Sequence, residues 1–560
     1  MRTHTVRLAI AQINPTVGDL RGNEELIMHY LDRIKGFDVD LIAFPELAVT
    51  GYPPEDLLMK PHFIQDNLKA IGRIGKAVKD VVAVIGFVDK KGGRLFNAAA
   101  VAYEGKIAGV YHKMRLPNYG VFDEKRYFSE GKAPLVFGLG SLIVGVNICE
   151  DIWHSSGPLS VQAKKGAKLI ININASPYHA GKSQEREAMI TRQARTHRVA
   201  LCYANIVGGQ DELVFDGASM VTDTTGVIIS RAEAFKEDLT MADVKITLRR
   251  APDRKQAIRI SGWLPRVKNA YVLTKTTKPL GPQEEIYEAL RTGLYNYVAK
   301  NGFRQVVIGL SGGIDSSFVA LLATDALGKD NVIGVFMPSR YSSKESMLDA
   351  SLLASNLGIK FIQISIEQIY RIYLLMFEPH FLGSERGIAE ENLQARIRGN
   401  ILMTLSNKFG WLPLSTGNKS ELSTGYTTLY GDMAGGFAPI KDVPKTLLYR
   451  LAQHRNSRGL IIPERVFTKE PTAELRHGQK DRDTLLPYEV LDPILKAYIE
   501  QDLDQAHIAS LGFSASDVQK AIQLVDGSEY KRRQSPPGVK ITPRAFGRDR
   551  RMPITNKYRE

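Results

Sequence analysis

The chain has 560 residues, of which 44% are apolar and 24% charged, and its formal charge is +14. That length exceeds one ordinary core and predicts two large domains, while the balance of apolar and charged residues excludes a fibrous or disordered protein. Two cysteines, Cys149 and Cys202, are too few for a disulfide framework and suit a reducing compartment.

The opening stretch, MRTHTVRLAIAQINPTVGDL, lacks the apolar segment of a secretion signal. No apolar run nears the ~18 residues that span a bilayer, so a soluble, cytoplasmic protein is expected. TVRLAIAQI alternates and is β-branched; DLIAFPEL, VVAVIGFV, LIVGVNICE, KLIININAS and ALCYANIVG are apolar runs of strand length. Near-continuous apolar strands predict sheet covered on both faces. Residues 250–285 turn basic and are punctuated by Pro and Gly, which reads as a linker. The expected domains are therefore 1–262 and 286–560, joined by 263–285.

From residue 286 helices dominate, and EIYEALRTGLYNYVAKNG closes on the stop signal Asn-Gly. Next come a strand opening on the apolar run Val306-Val307-Ile308, a Gly/Ser-rich loop and a helix opening at Ser316-Ser317. The strand NVIGVFMP, a helix near 343–357 and the strand KFIQISI follow. This β-α-β-α-β order predicts a parallel, doubly wound sheet. Residues 530–560 hold ten Lys/Arg against two acidic residues, so +8 of the +14 is local and the other 529 residues carry +6. No aromatic platform accompanies the cations, so neither nucleic acid nor membrane is an expected partner.

Three residues end predicted strands: Glu46 after LIAFP, Lys113 after AGVYH and Cys149 after LIVGVNI. A thiol attacks acyl carbon as thiolate, and a neighbouring base and cation manage its proton and charge. AFPELAVTGYPPEDLL, YHKMRLPNYGVFDEKRYF and GVNICEDIWHSSGP resemble, in order, the three signatures of the nitrilase (carbon–nitrogen hydrolase) superfamily. The resemblance implies an α-β-β-α sandwich in which Glu46 is the base, Lys113 stabilises the oxyanion and Cys149 attacks an amide. It also implies a supporting role for Glu124. The finer wording resembles glutaminase domains of glutamine-dependent synthetases, which implies glutamine contacts at Tyr119, Ser176 and Lys182. Cys202 reads as core.

In LSGGIDSS, Ser311, Gly312 and Gly313 let backbone approach an anion ahead of a helix N-terminus, yet the lysine of a kinase-type loop is missing. The loop resembles the pyrophosphatase (PP) loop of adenylating ligases, which break ATP between the α- and β-phosphates. That implies ATP at Leu310, Ser311, Gly312, Gly313, Ile314, Asp315, Ser316 and Ser317, with Asp315 available for Mg²⁺. Taken alone, the loop leaves open other glutamine-dependent PP-loop ligases and tRNA-modifying enzymes. Residues 388–408, 414–452, 461–476 and 530–555 then resemble the NAD⁺ synthetase family, and nearly the whole chain is similar to its glutamine-dependent members. This resemblance implies ATP also at Thr416, deamido-NAD⁺ at Asn392, Arg396, Glu421 and Lys531, and Mg²⁺ at Asp315 and Glu421. It further implies small-molecule partners and a homo-oligomer, commonly an octamer. Ammonia is mostly protonated at neutral pH, so its transfer through a tunnel is expected.

Overall fold

The computed structural model describes residues 2–248, 257–261, 268–270, 272 and 274–558. The expected boundary at 262 and linker positions 263–267, 271 and 273 lie outside the described residues. The chain divides into two units, one comprising 1–210 and 214–280, the other 211–213 and 281–560.

The first unit contains two large sheets. One has six strands in the order Asp238–Leu248, Arg2–Gln12, Leu41–Ala43, Val82–Lys91, Arg94–Tyr103, Lys106–His112. The other has seven, with Ala200–Asn205, Leu169–Asn174, Leu142–Ile148 and Leu135–Leu139 adjacent at its centre. Alternation along each strand explains the layering. Leu8 and Ile10 join Val144, Val146, Leu169 and Ile171 in a core built from both sheets. The intervening Ala9 and Ala11 face the other way, against Ile27 and Leu31 of helix Leu20–Arg33 and Ile71 and Ile74 of helix Pro61–Ala77. On the second sheet Ile143, Ile170 and Leu201 turn outward to Met189 and Ile190 of helix Lys182–His197. Strands buried on both faces have to be apolar throughout, as their sequence suggested. The result is an α-β-β-α sandwich.

The second unit carries a four-stranded sheet ordered Lys360–Gln363, Val332–Phe336, Val306–Leu310, Leu412–Leu414, with every pair parallel. Three strands match the expected β-α-β-α-β order; the short fourth, Leu412–Leu414, is an addition. Successive strands step outward from Val306–Leu310 in one direction, and Leu412–Leu414 lies on its other side. The reversal makes a crevice beyond the carboxyl ends of these two neighbours, where α/β sheets bind ligands. Helix Ile314–Leu327 begins two residues earlier than expected, with Gly313 as its extended N-cap. Asp315 therefore lies inside the first helical turn. The basic tail is held in place: Val539, Ile541 and Phe546 are buried, and Lys540 pairs with Asp549 at 2.6 Å.

Candidate active sites

The first centre gathers residues that are far apart in sequence. Glu46 lies just beyond strand Leu41–Ala43 and is fully buried. Its Oε1 accepts from Lys113 Nζ at 2.7 Å and Asn97 Nδ2 at 2.6 Å, and its Oε2 accepts from the Ala175 N–H at 2.8 Å. Lys113 follows strand Lys106–His112, and its Nζ also reaches Glu124 Oε1 at 2.7 Å. The Tyr52 hydroxyl donates to the same oxygen at 3.0 Å.

Cys149 ends the buried strand Leu142–Ile148 with φ +43°, a left-handed conformation rare for a side chain of this kind. Strain of this sort persists only where the surroundings over-determine it. Here Asp151 does so: its Oδ2 accepts from the Ile148 N–H and the Tyr111 hydroxyl, and its Oδ1 from the N–H groups of Met114 and Arg115. One carboxylate thus ties the turn at Cys149 to the segment just after Lys113.

Burial pushes the Cys149 thiol up, Glu46 adds to this, and Lys113 opposes it, so the resting thiol is neutral. Burial alone would depress the Lys113 ammonium, but Glu124 and Glu46 outweigh it and hold it charged. Glu124 is pushed up to about 7, chiefly by burial, with Glu46 adding to the rise and Lys113 working against it. A carboxyl raised in this way keeps its proton longer in the folded chain. Its contribution to stability is complete below the ordinary value of 4.5 and is lost as pH rises through about 7. Thermal melts should therefore show stability falling across that window and Glu124→Gln flattening the fall. An unchanged slope in the variant would refute this.

The three expected glutamine contacts have different surroundings. Tyr119 is exposed and donates to Glu150 Oε2 at 2.9 Å. Ser176 is buried, one residue past the N–H that holds Glu46, and its own N–H donates to Asn205. Lys182 opens its helix with its ammonium 4.2 Å above the Trp153 ring. Sequence reasoning did not single out Asn97, Asp151, Tyr52 or Glu150, although Tyr52 and the Glu150-Asp151 pair lie within the signature stretches.

The second centre lies at the sheet's reversal point. Gly312 has φ +76°, and a Cβ there would sit 2.4 Å from the Ser346 carbonyl oxygen, so only glycine fits. Ser316 and Ser317 donate to the Gly313 carbonyl, closing the turn. Asp315 Oδ1 accepts from Asn418 Nδ2 at 2.8 Å and its Oδ2 from Lys445 Nζ at 2.5 Å. Glu421 caps its own short helix with Asn418 and lies 3.5 Å from the same ammonium. Burial and Asp315 push Glu421 up to about 8 against Lys445, while Asp481 is raised mainly by burial. Three carboxylates thus crowd one lysine.

A cavity of about 280 Å³ is lined by Ser311, Asp315, Thr416, Glu421, Lys445 and Arg398, among others. A neighbouring cavity of about 790 Å³ holds Arg396, and Gly399, Met433 and Ala434 line both. The remaining expected dinucleotide contacts converge on residues 425–430. Asn392 accepts from the Thr428 hydroxyl, Arg396 donates to the Leu429 carbonyl, and Lys531 donates to the carbonyls of Gly425 and Thr427. Lys445 and Arg398 were not foreseen, whereas Asn418 belongs to the turn Thr416-Gly417-Asn418, whose hydroxyl and amide the sequence offers to a nucleotide. Burial drags Arg398 down to about 10, with Glu474 countering.

A carbon–nitrogen hydrolase model matches residues 7–252 and an NAD synthase model residues 286–535. An amide-splitting sandwich joined to an ATP-loop unit makes this a carbon–nitrogen ligase that draws its nitrogen from an amide donor. The chain is 49% identical to the glutamine-dependent NAD(+) synthetase of Thermotoga maritima, over 99% of each, and 48% identical to that of Aquifex aeolicus, over 99% of this chain and 100% of the other. It belongs to the glutamine-dependent NAD(+) synthetases. The solved Acinetobacter baumannii synthetase in complex with adenosine diphosphate is 43% identical, with a TM-score of 0.77 over 99% of each chain.

Proposed function

We propose that residues 1–262 make ammonia and residues 286–560 consume it, with 263–285 joining them. The enzyme amidates deamido-NAD⁺ to NAD⁺ with glutamine as nitrogen donor. Cys149 attacks the glutamine amide, Glu46 takes the thiol proton and later activates water, and Lys113 meets the oxyanion. Glu124 holds Lys113 in line. Tyr119, Ser176 and Lys182 hold glutamine, and Glu150, beside Tyr119, meets its ammonium.

In the second centre the nicotinate carboxylate attacks the α-phosphorus of ATP, giving an acyl-adenylate and pyrophosphate. Ammonia then displaces AMP. Residues Leu310–Ser317 and Thr416 hold ATP, and Asn392, Arg396, Glu421 and Lys531 hold deamido-NAD⁺. Asp315 and Glu421 would hold Mg²⁺, which when bound neutralises phosphate charge. The oxygen-only donors and the surplus of carboxylates around Lys445 suit a hard dication.

The observation that carries this reading is the division of charge. A neutral thiol faces a base in the first centre, and an anion loop ends on surplus carboxylates in the second. The test supplies ATP, Mg²⁺, deamido-NAD⁺ and glutamine labelled with ¹⁵N in its amide, alongside unlabelled ammonium. Labelled NAD⁺ and AMP are expected. ADP in place of AMP would overturn the adenylate, and full dilution of the label would overturn protected ammonia transfer.

No described helix is long and apolar enough to cross a membrane, and we assign the enzyme to the cytoplasm; recovery in a secreted fraction would overturn that. The exposed band of Ile372, Leu375, Met376, Phe381, Leu382 and Ile388 supports self-association into a homo-oligomer, with an octamer as the size the family resemblance implies. Light scattering that reads a monomer at micromolar concentration would remove this.

A further inference from the structure

Asn97 lies outside all three signature stretches, yet it touches every charged member of the first centre. It sits on strand Arg94–Tyr103, fully buried, with its side chain between two carboxylates. Its Nδ2 is 2.6 Å from Glu46 Oε1 and 3.5 Å from Glu124 Oε2. Its backbone carbonyl accepts the N–H of Lys113 at 2.8 Å. Its Oδ1 has no hydrogen-bond partner. Turning the amide over would satisfy nothing, because it would press Oδ1 against the Glu46 oxygen. The charge of the pair therefore fixes which way the amide points.

We propose that Asn97 is a positioning residue that holds the negative charge on Glu46 and leaves Glu46 Oε2 as the proton-accepting oxygen. Oε1 is occupied by two donors, Lys113 Nζ and Asn97 Nδ2, whereas Oε2 receives only the Ala175 N–H. One lone-pair direction therefore remains open on Oε2. An amide suits the task because it donates without adding charge: a second cation would oversaturate the pair, and a carboxylate would repel it.

In the reaction the Cys149 S–H proton passes to Oε2 as the S–C bond forms and the carbonyl electron pair moves onto oxygen. When the C–N bond breaks, that proton goes to the leaving nitrogen and ammonia departs. The groups facing the carboxylate pair include Lys113, Tyr52, Cys149, the Ala175 N–H and Asn97 itself.

This inference rests on the triad reading above, and the experiment separates the two. Asn97→Leu and Asn97→Asp are made in the full chain, and glutamine-driven kcat, KM for glutamine and the pH profile of glutamine hydrolysis are measured. Ammonia-driven synthesis serves as the folding control. For Asn97→Leu we expect kcat to fall about 10- to 100-fold, as for other groups that orient a reacting ligand. KM should stay within about twofold, because the amide orients the base and does not bind substrate. The acidic limb should move to higher pH, and ammonia-driven synthesis should be unchanged. Asn97→Asp, of the same shape, should lower kcat further at neutral pH. Wild-type kcat and pH profile in Asn97→Leu, or a loss confined to KM, overturns the inference. If Asn97→Leu does not fold, Asn97→Asp decides: folded and inactive supports the role, folded and fully active overturns it. Glu46→Gln marks the boundary. Should Glu46→Gln still hydrolyse glutamine, the triad reading falls; should Glu46→Gln be dead while Asn97→Leu behaves as wild type, only this inference falls.

Discussion

Replacing Cys149 by alanine lowers glutamine-driven NAD⁺ formation by about a thousandfold or more, while ammonia-driven formation stays near the wild-type rate. The first half follows from the chemistry of the centre. Glu46 and Lys113 pair with each other at 2.7 Å, so without the thiol the proposed base and oxyanion partner remain but no atom is left to carry the acyl group. Cys202 cannot substitute, because it is core on strand Ala200–Asn205 and burial alone holds its thiol far up. The second half follows from the division of labour. An added amine bypasses the first unit and meets the adenylate made by the second. The substitution should fold, since alanine tolerates φ +43° about as well as cysteine and the Asp151 contacts that set the turn are untouched. Assays with glutamine and with ammonium chloride, run side by side on one preparation, give the result. Loss of both routes would show that Cys149 serves the fold or the second centre.

Asp315→Asn is the counterpart, and there both routes fall together. The substitution leaves shape and the contact from Asn418 Nδ2 intact but removes one of the charges around Lys445. It also removes one of the two carboxylates assigned to Mg²⁺. A Lewis-acid contribution of several kcal/mol corresponds to about two to three orders of magnitude in rate. The loss should appear with ammonia and with glutamine alike, together with a higher Mg²⁺ requirement. Glutamate release, which belongs to Cys149, reports whether the rest of the chain is sound. Unchanged Mg²⁺ dependence with wild-type NAD⁺ formation would rule out the metal role of Asp315.

The two expectations differ because the charges in each centre are balanced in a different way. In the first, one lysine serves two carboxylates. In the second, one lysine serves three carboxylates and the balance is short of positive charge. A loop that lacks a kinase-type lysine fits the second arrangement, since Lys445 approaches Asp315 from 130 residues downstream.

The sequence by itself determined the order of the candidate reacting groups along the chain. Glu46, Lys113 and Cys149 each end an apolar run. Gly312 is legible as glycine because a left-handed turn in a tight approach admits little else. Near-continuous apolar runs were enough for sheet covered on both faces, because burial on two faces leaves a mark on every residue of the strand, and the β-α-β order was enough for a parallel sheet; the sandwich came from the family resemblance.

Only the tertiary structure decided which polar residues join those centres. Asn97 looks like any asparagine in LFNAAAVAY until strand pairing turns it toward Glu46, 51 residues away. Asp151 reads as part of an acidic pair until it is seen bridging Cys149's turn and the segment beyond Lys113. Asn392, Arg396 and Lys531 share a neighbourhood at 425–430 that no spacing between them encodes. The physical reason is the same in each case. Periodicity and turn chemistry are local and recur along the chain, whereas the partner of a buried polar group is set by sheet register and helix docking, which couple residues dozens to hundreds of positions apart.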